Sequence, residues 1–203
     1  ARLTAAGTVA DLEGAHERVR SQRGQRERFR RGLELSARYD AVVRRVLREE
    51  GVPEDLAYLP HVESSYDITA RSSAAAVGMW QLTRPAARRH LRVNATLDER
   101  LDPLAATRAA ARYLLDAHRR LGSWPLAVTS YNHGVPGVER AVRELGPDYE
   151  RVFRLYRGPQ FGFSSRNFYP ELLAARATAT GAARVFPEGL EPLPALDLAV
   201  LDR

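Results

Sequence analysis

Apolar positions recur at helical spacing along most of this chain, and no segment alternates for long. Leu35, Tyr39, Val42, Val43 and Val46 fall at i, i+4, i+7, i+8 and i+11, one face of an amphipathic helix within Gln25 to Glu50. Gly51 ends it, and Val52-Pro53 turns the chain into a short apolar stretch, Leu56 to Val62. Ile68 to Gly78 is small and polar and reads as a loop able to bring backbone close to a ligand. Thr83 caps a short helix to His90, with Pro85 in its first turn. Asp102-Pro103 opens a clearer helix with Ala106, Ala109, Ala110, Tyr113, Leu114, Ala117 and Leu121 on its apolar face, stopped at Gly122. Ser123-Trp124-Pro125 opens the next. Further helices are expected over Val138 to Leu145 and about Ser165 to Thr180, with a short one from Val9 to Arg20. This is an all-α pattern with no visible internal repeat.

Three parts follow from it: a helical extension over 1–50, a main domain over 51–185, and a proline-marked extended tail over 186–203. At 203 residues the chain can bury one sizeable core. It has no apolar run of the ~20 residues that a spanning helix needs. The start, Ala1-Arg2-Leu3-Thr4, lacks the charged-then-apolar pattern of a secretory signal, so a leader is either missing or already removed. Absent cysteine excludes disulfides and thiolate metal sites and fixes no compartment. The net charge is +6, and every one of the 31 basic residues is arginine. These arginines spread over all the helices, as a solvated face does, and form no recognition helix, so no nucleic-acid partner is expected.

The chemistry concentrates where Leu56 to Val62 meets the polar run Glu63-Ser64-Ser65-Tyr66-Asp67. A carboxylate delivered at the end of an apolar segment is partly desolvated, which raises its pKa and lets it donate a proton near neutral pH. Asp67, four residues on, leads into the loop and is expected to make turn bonds rather than serve as a second acid. Asp98, Asp102 and Glu171 read as helix caps or first-turn charges. No pair among His61, His90, His118 and His133 has metal-ligand spacing, so neither a metal nor a cofactor is expected.

Three segments in order give these residues a context: Glu63-Ser64-Ser65-Tyr66, Gly78-Met79-Trp80-Gln81, and Ser130-Tyr131-Asn132. From about Leu33 to Ala177 the chain resembles the soluble lytic transglycosylase (SLT) family, lysozyme-like enzymes that cut bacterial peptidoglycan. Phe168-Tyr169-Pro170-Glu171-Leu172-Leu173-Ala174 resembles the closing helix of the membrane-bound transglycosylase D branch. The resemblance implies an all-α, lysozyme-like domain of the goose-type/SLT kind. It also implies a single glutamate, Glu63, that protonates the oxygen between N-acetylmuramic acid and N-acetylglucosamine, then deprotonates the muramyl C6 hydroxyl to give 1,6-anhydro ends. By the same resemblance Ser72, Gln81, Tyr131, Met79 and Asn132 are substrate-binding, and Ser64 and Gly78 support the site. Asn132 is the one of these expected to brace the fold more than touch sugar, and Trp80 is expected in the core. His133 departs from the family's usual alanine. Partners would be glycan strands in the cell envelope, with membrane anchoring through a removed N-terminal segment left open. A hydrolytic lysozyme on the same fold and a noncatalytic wall-binding protein are the rival readings.

Overall fold

The computed structural model describes residues 25–196; the helix expected over Val9 to Arg20 and the end of the tail lie outside them. The first helix, α1 (Gln25–Glu49), is 25 residues long and buries Tyr39, Val42, Val43, Val46 and Leu47, the stripe its periodicity marks. A 3-10 turn (Glu54–Tyr58) leads into α2 (Leu59–Glu63), so the apolar stretch before Glu63 is helical almost throughout. Next come α3 (Arg84–Ala87), α4 (Pro103–Leu121), α5 (Trp124–His133), α6 (Val135–Leu145), α7 (Tyr149–Leu155), α8 (Phe163–Thr180) and α9 (Ala182–Val185).

Local chemistry sets most of these boundaries. Thr83, Asp102 and Ser123 each accept a backbone N–H from the first turn of the helix they open, and a proline follows each within that turn. Asp98 does the same for a single 3-10 turn, Glu99–Leu101. Helix α3 ends at Ala87, short of His90, and α6 begins at Val135, where Pro136 occupies its first turn. The sequence pattern leaves three helices unexpected, α7 and the short α2 and α9. The cap of α7, Asp148, accepts from Arg151 N at 2.6 Å, and Tyr149, Val152, Phe153 and Tyr156 follow at i, i+3, i+4 and i+7.

Among the described residues, strand pairing is limited to isolated bridges. Two of them, Arg71 with Val77 and Val77 with Leu82, fold the segment from Ile68 to Leu82 into a tight loop. The core has two parts. In the first, α1, α2, Met79, Trp80, α4 and Phe168, Tyr169 and Leu172 of α8 pack together. In the second, the C-terminal half of α4 meets α5, α6, Val152, Tyr156 and Phe161. The arginines largely stay outside, paired with acids: Arg44 with Asp40, Arg48 with Glu54, Arg112 with Glu50 and Arg120 with Glu139. Arg100 is the exception. It is 3% exposed, clasps Asp98 at 2.7 Å, and donates to the carbonyls of Ala75 and Leu82. A buried guanidinium with its donors used in this way ties the loop to the start of α4.

Candidate active site

Glu63 is the last residue of α2. The backbone leaves the helix with Ser64 N and Tyr66 N both donating to the carbonyl of Pro60, at 3.0 and 3.1 Å. Ser64 is buried, and its hydroxyl donates to the carbonyl of Met79 at 2.9 Å. This bond joins the end of α2 to the Gly78–Gln81 segment. Burial pushes the Glu63 carboxyl up to about 8, and the negative charge of Glu171 adds to the rise. No hydrogen bond to the carboxyl offsets this among the described residues. A carboxyl in that state holds its proton at neutral pH.

Tyr131 comes to the same place from α5. Its hydroxyl donates to the carbonyl of Trp80 at 2.7 Å. Its ring lies edge-on to Tyr113, centroids 5.5 Å apart, and parallel to Phe168 of α8 at 6.3 Å. Burial, then the charges of Glu63 and Tyr113, hold its pKa well above the ordinary phenol value, so it is a neutral phenol at any working pH. With its proton committed to Trp80, the oxygen is left to accept. Trp80 itself is in the core, its indole N–H donating to Thr107 Oγ1 at 2.9 Å.

The remaining expected residues divide. Gln81 donates through Nε2 to the carbonyls of Gly78 (2.8 Å) and Ala70 (3.3 Å), so its amide hydrogens shape the loop. Ser72 lies at the exposed tip, where its Oγ accepts from Ala76 N at 3.1 Å and keeps its proton to offer. Met79 is 1% exposed, with its thioether in the core, and direct contact between that side chain and a sugar is not available here. Its part is the carbonyl that receives Ser64. Asn132 accepts from Ser165 Oγ at 2.9 Å, and His133 Nδ1 lies 3.2 Å from the same hydroxyl, so both residues brace α5 against α8. Gly78 is held by its contact with Arg100. Its φ is +80°, and a Cβ there would stand 2.0 Å from the carbonyl oxygen of Arg100. The close approach that excludes a side chain is to Arg100, within the protein. Asp67 makes the expected turn, accepting from Thr69 N and Oγ1.

Glu171 requires a correction. It is neither a cap nor a first-turn charge: it sits midway along α8, exposed on one side, and the protein around it raises its own pKa. A trace of this was present in the sequence. Glu171 stands at i+3 from Phe168, and so shares the helix flank of the ring that stacks on Tyr131.

A desolvated glutamate at the end of a short helix, a tyrosine from a distant helix beside it, and a looped Gly-Met-Trp-Gln segment bonded to that tyrosine and to Ser64 are thus assembled in one place. Residues 42–150 match the family described as Transglycosylase SLT domain, more than half of the chain. The chain belongs to this SLT family. Its all-α, lysozyme-like architecture is the one expected of an SLT domain. Among relatives, it is 33% identical over 99 residues to the membrane-bound lytic murein transglycosylase D of Escherichia coli (strain K12), which covers 48% of this chain and 22% of that protein. It is 36% identical over 122 residues to the membrane-bound lytic murein transglycosylase F 2 of Alkalilimnicola ehrlichii, which covers 55% of this chain and 26% of that protein. The SLT chain therefore spans only about a quarter of the length of these relatives. Among its described residues no helix is long and apolar enough to cross a membrane, and no group of three or more His, Asp or Glu could hold a metal.

Proposed function

We propose that the protein is a peptidoglycan lytic transglycosylase that cuts the β-1,4 bond between N-acetylmuramic acid and N-acetylglucosamine in the cell envelope, with Glu63 as its acid and base. The observation that carries the proposal is the Glu63 carboxyl, held up to about 8 by burial at the end of α2 and set beside Tyr131 in an SLT fold. The catalytic unit on this reading is 51–185, with α1 packed against it.

Protonated Glu63 gives its proton to the bridging oxygen as the C1–O bond of the muramyl residue breaks. Positive charge develops at C1 and the ring oxygen, and N-acetylglucosamine leaves with a free hydroxyl. Glu63, now a carboxylate, takes the proton of the muramyl C6 hydroxyl, whose oxygen closes onto C1. The products are a 1,6-anhydro end and the re-protonated acid, with no water consumed. A buried glutamate with a raised pKa suits both halves: it is loaded at neutral pH, and its desolvated carboxylate is a strong enough base to reload. Ser72 and Gln81 would bind the sugars from the loop, Tyr131 would accept a hydrogen bond beside the acid, and Asn132 would brace the site through Ser165.

One observation favours a second reading. Glu171 is near enough to Glu63 to raise its pKa, and a second carboxylate can act as the base that activates a water. The result would be hydrolysis. Digestion of purified sacculi by the wild type and by Glu63→Gln separates the two. Muropeptides lighter by one water, absent with the variant, are the expected result. Reducing-end products would establish the hydrolase, and no products from either protein would leave only a wall-binding role.

A further inference from the structure

The turn that follows Glu63 contains two successive non-glycine residues in the left-handed region, Ser65 (φ 55°) and Tyr66 (φ 62°). L side chains are strained there, and such a pair persists only where its surroundings over-determine it. Part of the restraint comes from within the domain: Tyr66 N to Pro60, the Tyr66 hydroxyl to the carbonyl of Ala57, and Ser64 to Met79. The other part comes from α1. Gly32, buried at the contact, lets the helix approach until an added Cβ would stand 3.0 Å from Ser65 Cβ and 3.2 Å from both its Cα and its carbonyl oxygen. One turn earlier, at i−4, Arg28 Nε donates to Ser65 Oγ at 3.2 Å. Beside it the Phe29 ring lies 5.1 Å from His61, whose ring is in turn 4.6 Å from Tyr66. His61 and Ser65 stand two residues before and two residues after Glu63. All three α1 residues precede residue 42, where the family match begins.

We infer that Arg28, Phe29 and Gly32 are positioning residues: the first turns of α1 press on Ser65 and His61 and so fix the direction in which Glu63 leaves its helix. This rests on the reading of Glu63 as the reacting acid. The geometry follows from simple constraints. A left-handed pair whose outer side faced water could relax to an ordinary turn, and Glu63 would rotate with it. The missing side chain at Gly32 lets the helix backbone itself act as the stop, a firmer contact than a flexible side chain.

The test exploits an opposition of effects. Gly32→Ala adds the better helix former, which favours folding, yet it demands that the Ser65 backbone give by a few tenths of an ångström. We expect the thermal midpoint to hold or rise while kcat on sacculi falls about tenfold with KM changed less than about twofold, because small misplacements of a reacting group are amplified in the rate. Arg28→Ala, an exposed change, should lower kcat in the same sense by less. A second readout needs no activity: the Glu63 carboxyl titrated by carbon NMR should move its midpoint in Gly32→Ala relative to wild type. Unchanged kcat and an unchanged midpoint in both variants would overturn the inference, as would a loss of kcat that only tracks lost stability. If the wild type releases no muropeptides, the proposed function fails, and the Glu63 midpoint decides the positioning inference alone: a shift supports it, no shift overturns it. If Gly32→Ala does not fold, Arg28→Ala decides by the same measurements.

Discussion

Glu63→Gln should make the folded protein more stable at alkaline pH and leave it nearly unchanged in acid. The Glu63 carboxyl is raised from 4.5 to about 8 in the folded chain, first by burial and then by Glu171. A folded-state pKa above the unfolded one means that the native protein binds this proton more tightly. The associated stability is fully present below about pH 4.5 and is lost as pH rises through about 8, because the native state must then ionise a desolvated group. At about 1.4 kcal/mol per pH unit the ceiling on this loss is about 5 kcal/mol. Glu63 keeps part of its surface in water, which relaxes the penalty, so roughly 2 kcal/mol is the working figure. Glutamine has the same shape and never ionises. Urea unfolding of both proteins at about pH 4.5, 7 and 9 measures the gap directly. We expect near-coincident stabilities at the acid end and a variant more stable by roughly 2 kcal/mol at the alkaline end. A gap that stays constant with pH would refute the reasoning, since it would mean that Glu63 titrates as an ordinary carboxylate.

Three other outcomes are expected. Glu171→Gln removes the negative charge that helps to raise Glu63, so the alkaline limb of the activity profile, where Glu63 loses its proton, should move to lower pH; a pH–rate profile on sacculi checks this. Tyr131→Phe leaves the carbonyl of Trp80 without its 2.7 Å partner and should cost about 1–2 kcal/mol in denaturant unfolding, with activity falling further than that loss explains. Gly78→Ala drives a Cβ into the Arg100 carbonyl at a φ of +80° and should destabilise by about 3 kcal/mol or more, visible as a lowered thermal midpoint.

Much of the helical frame was legible in the residues because its causes are local. The cap of α4 is Asp102 and its proline is Pro103, both adjacent to the helix they start, and the apolar stripe of α1 is a matter of spacing along one element. The errors were local too. Helix α7 has its own cap and apolar period, and its omission was a misjudged short pattern. The candidate site was legible only as a set of names. The Ser64 hydroxyl crosses to the carbonyl of Met79, and no spacing rule reveals that partner. Met79, expected at the sugar, is buried in the core, and Gly78, expected to support the site, lies against the Arg100 carbonyl; neither burial nor close backbone approach is marked in a short loop sequence.

By itself the sequence determined the all-α class, the order and limits of most helices, and the placing of one glutamate at the end of an apolar stretch. Hydrophobic period, caps and turn residues act over a few positions, and a reader of the chain can see that far. Only the tertiary structure decided the proton affinity of Glu63. Its proton affinity depends on protein that desolvates it from several elements and on Glu171 in α8. Its neighbour Tyr131 is oriented by a carbonyl 51 residues away, and the turn that follows Glu63 lies close against Gly32 of α1. Desolvation, charge proximity and steric contact depend on distance in space, and the chain order of these residues does not contain those distances.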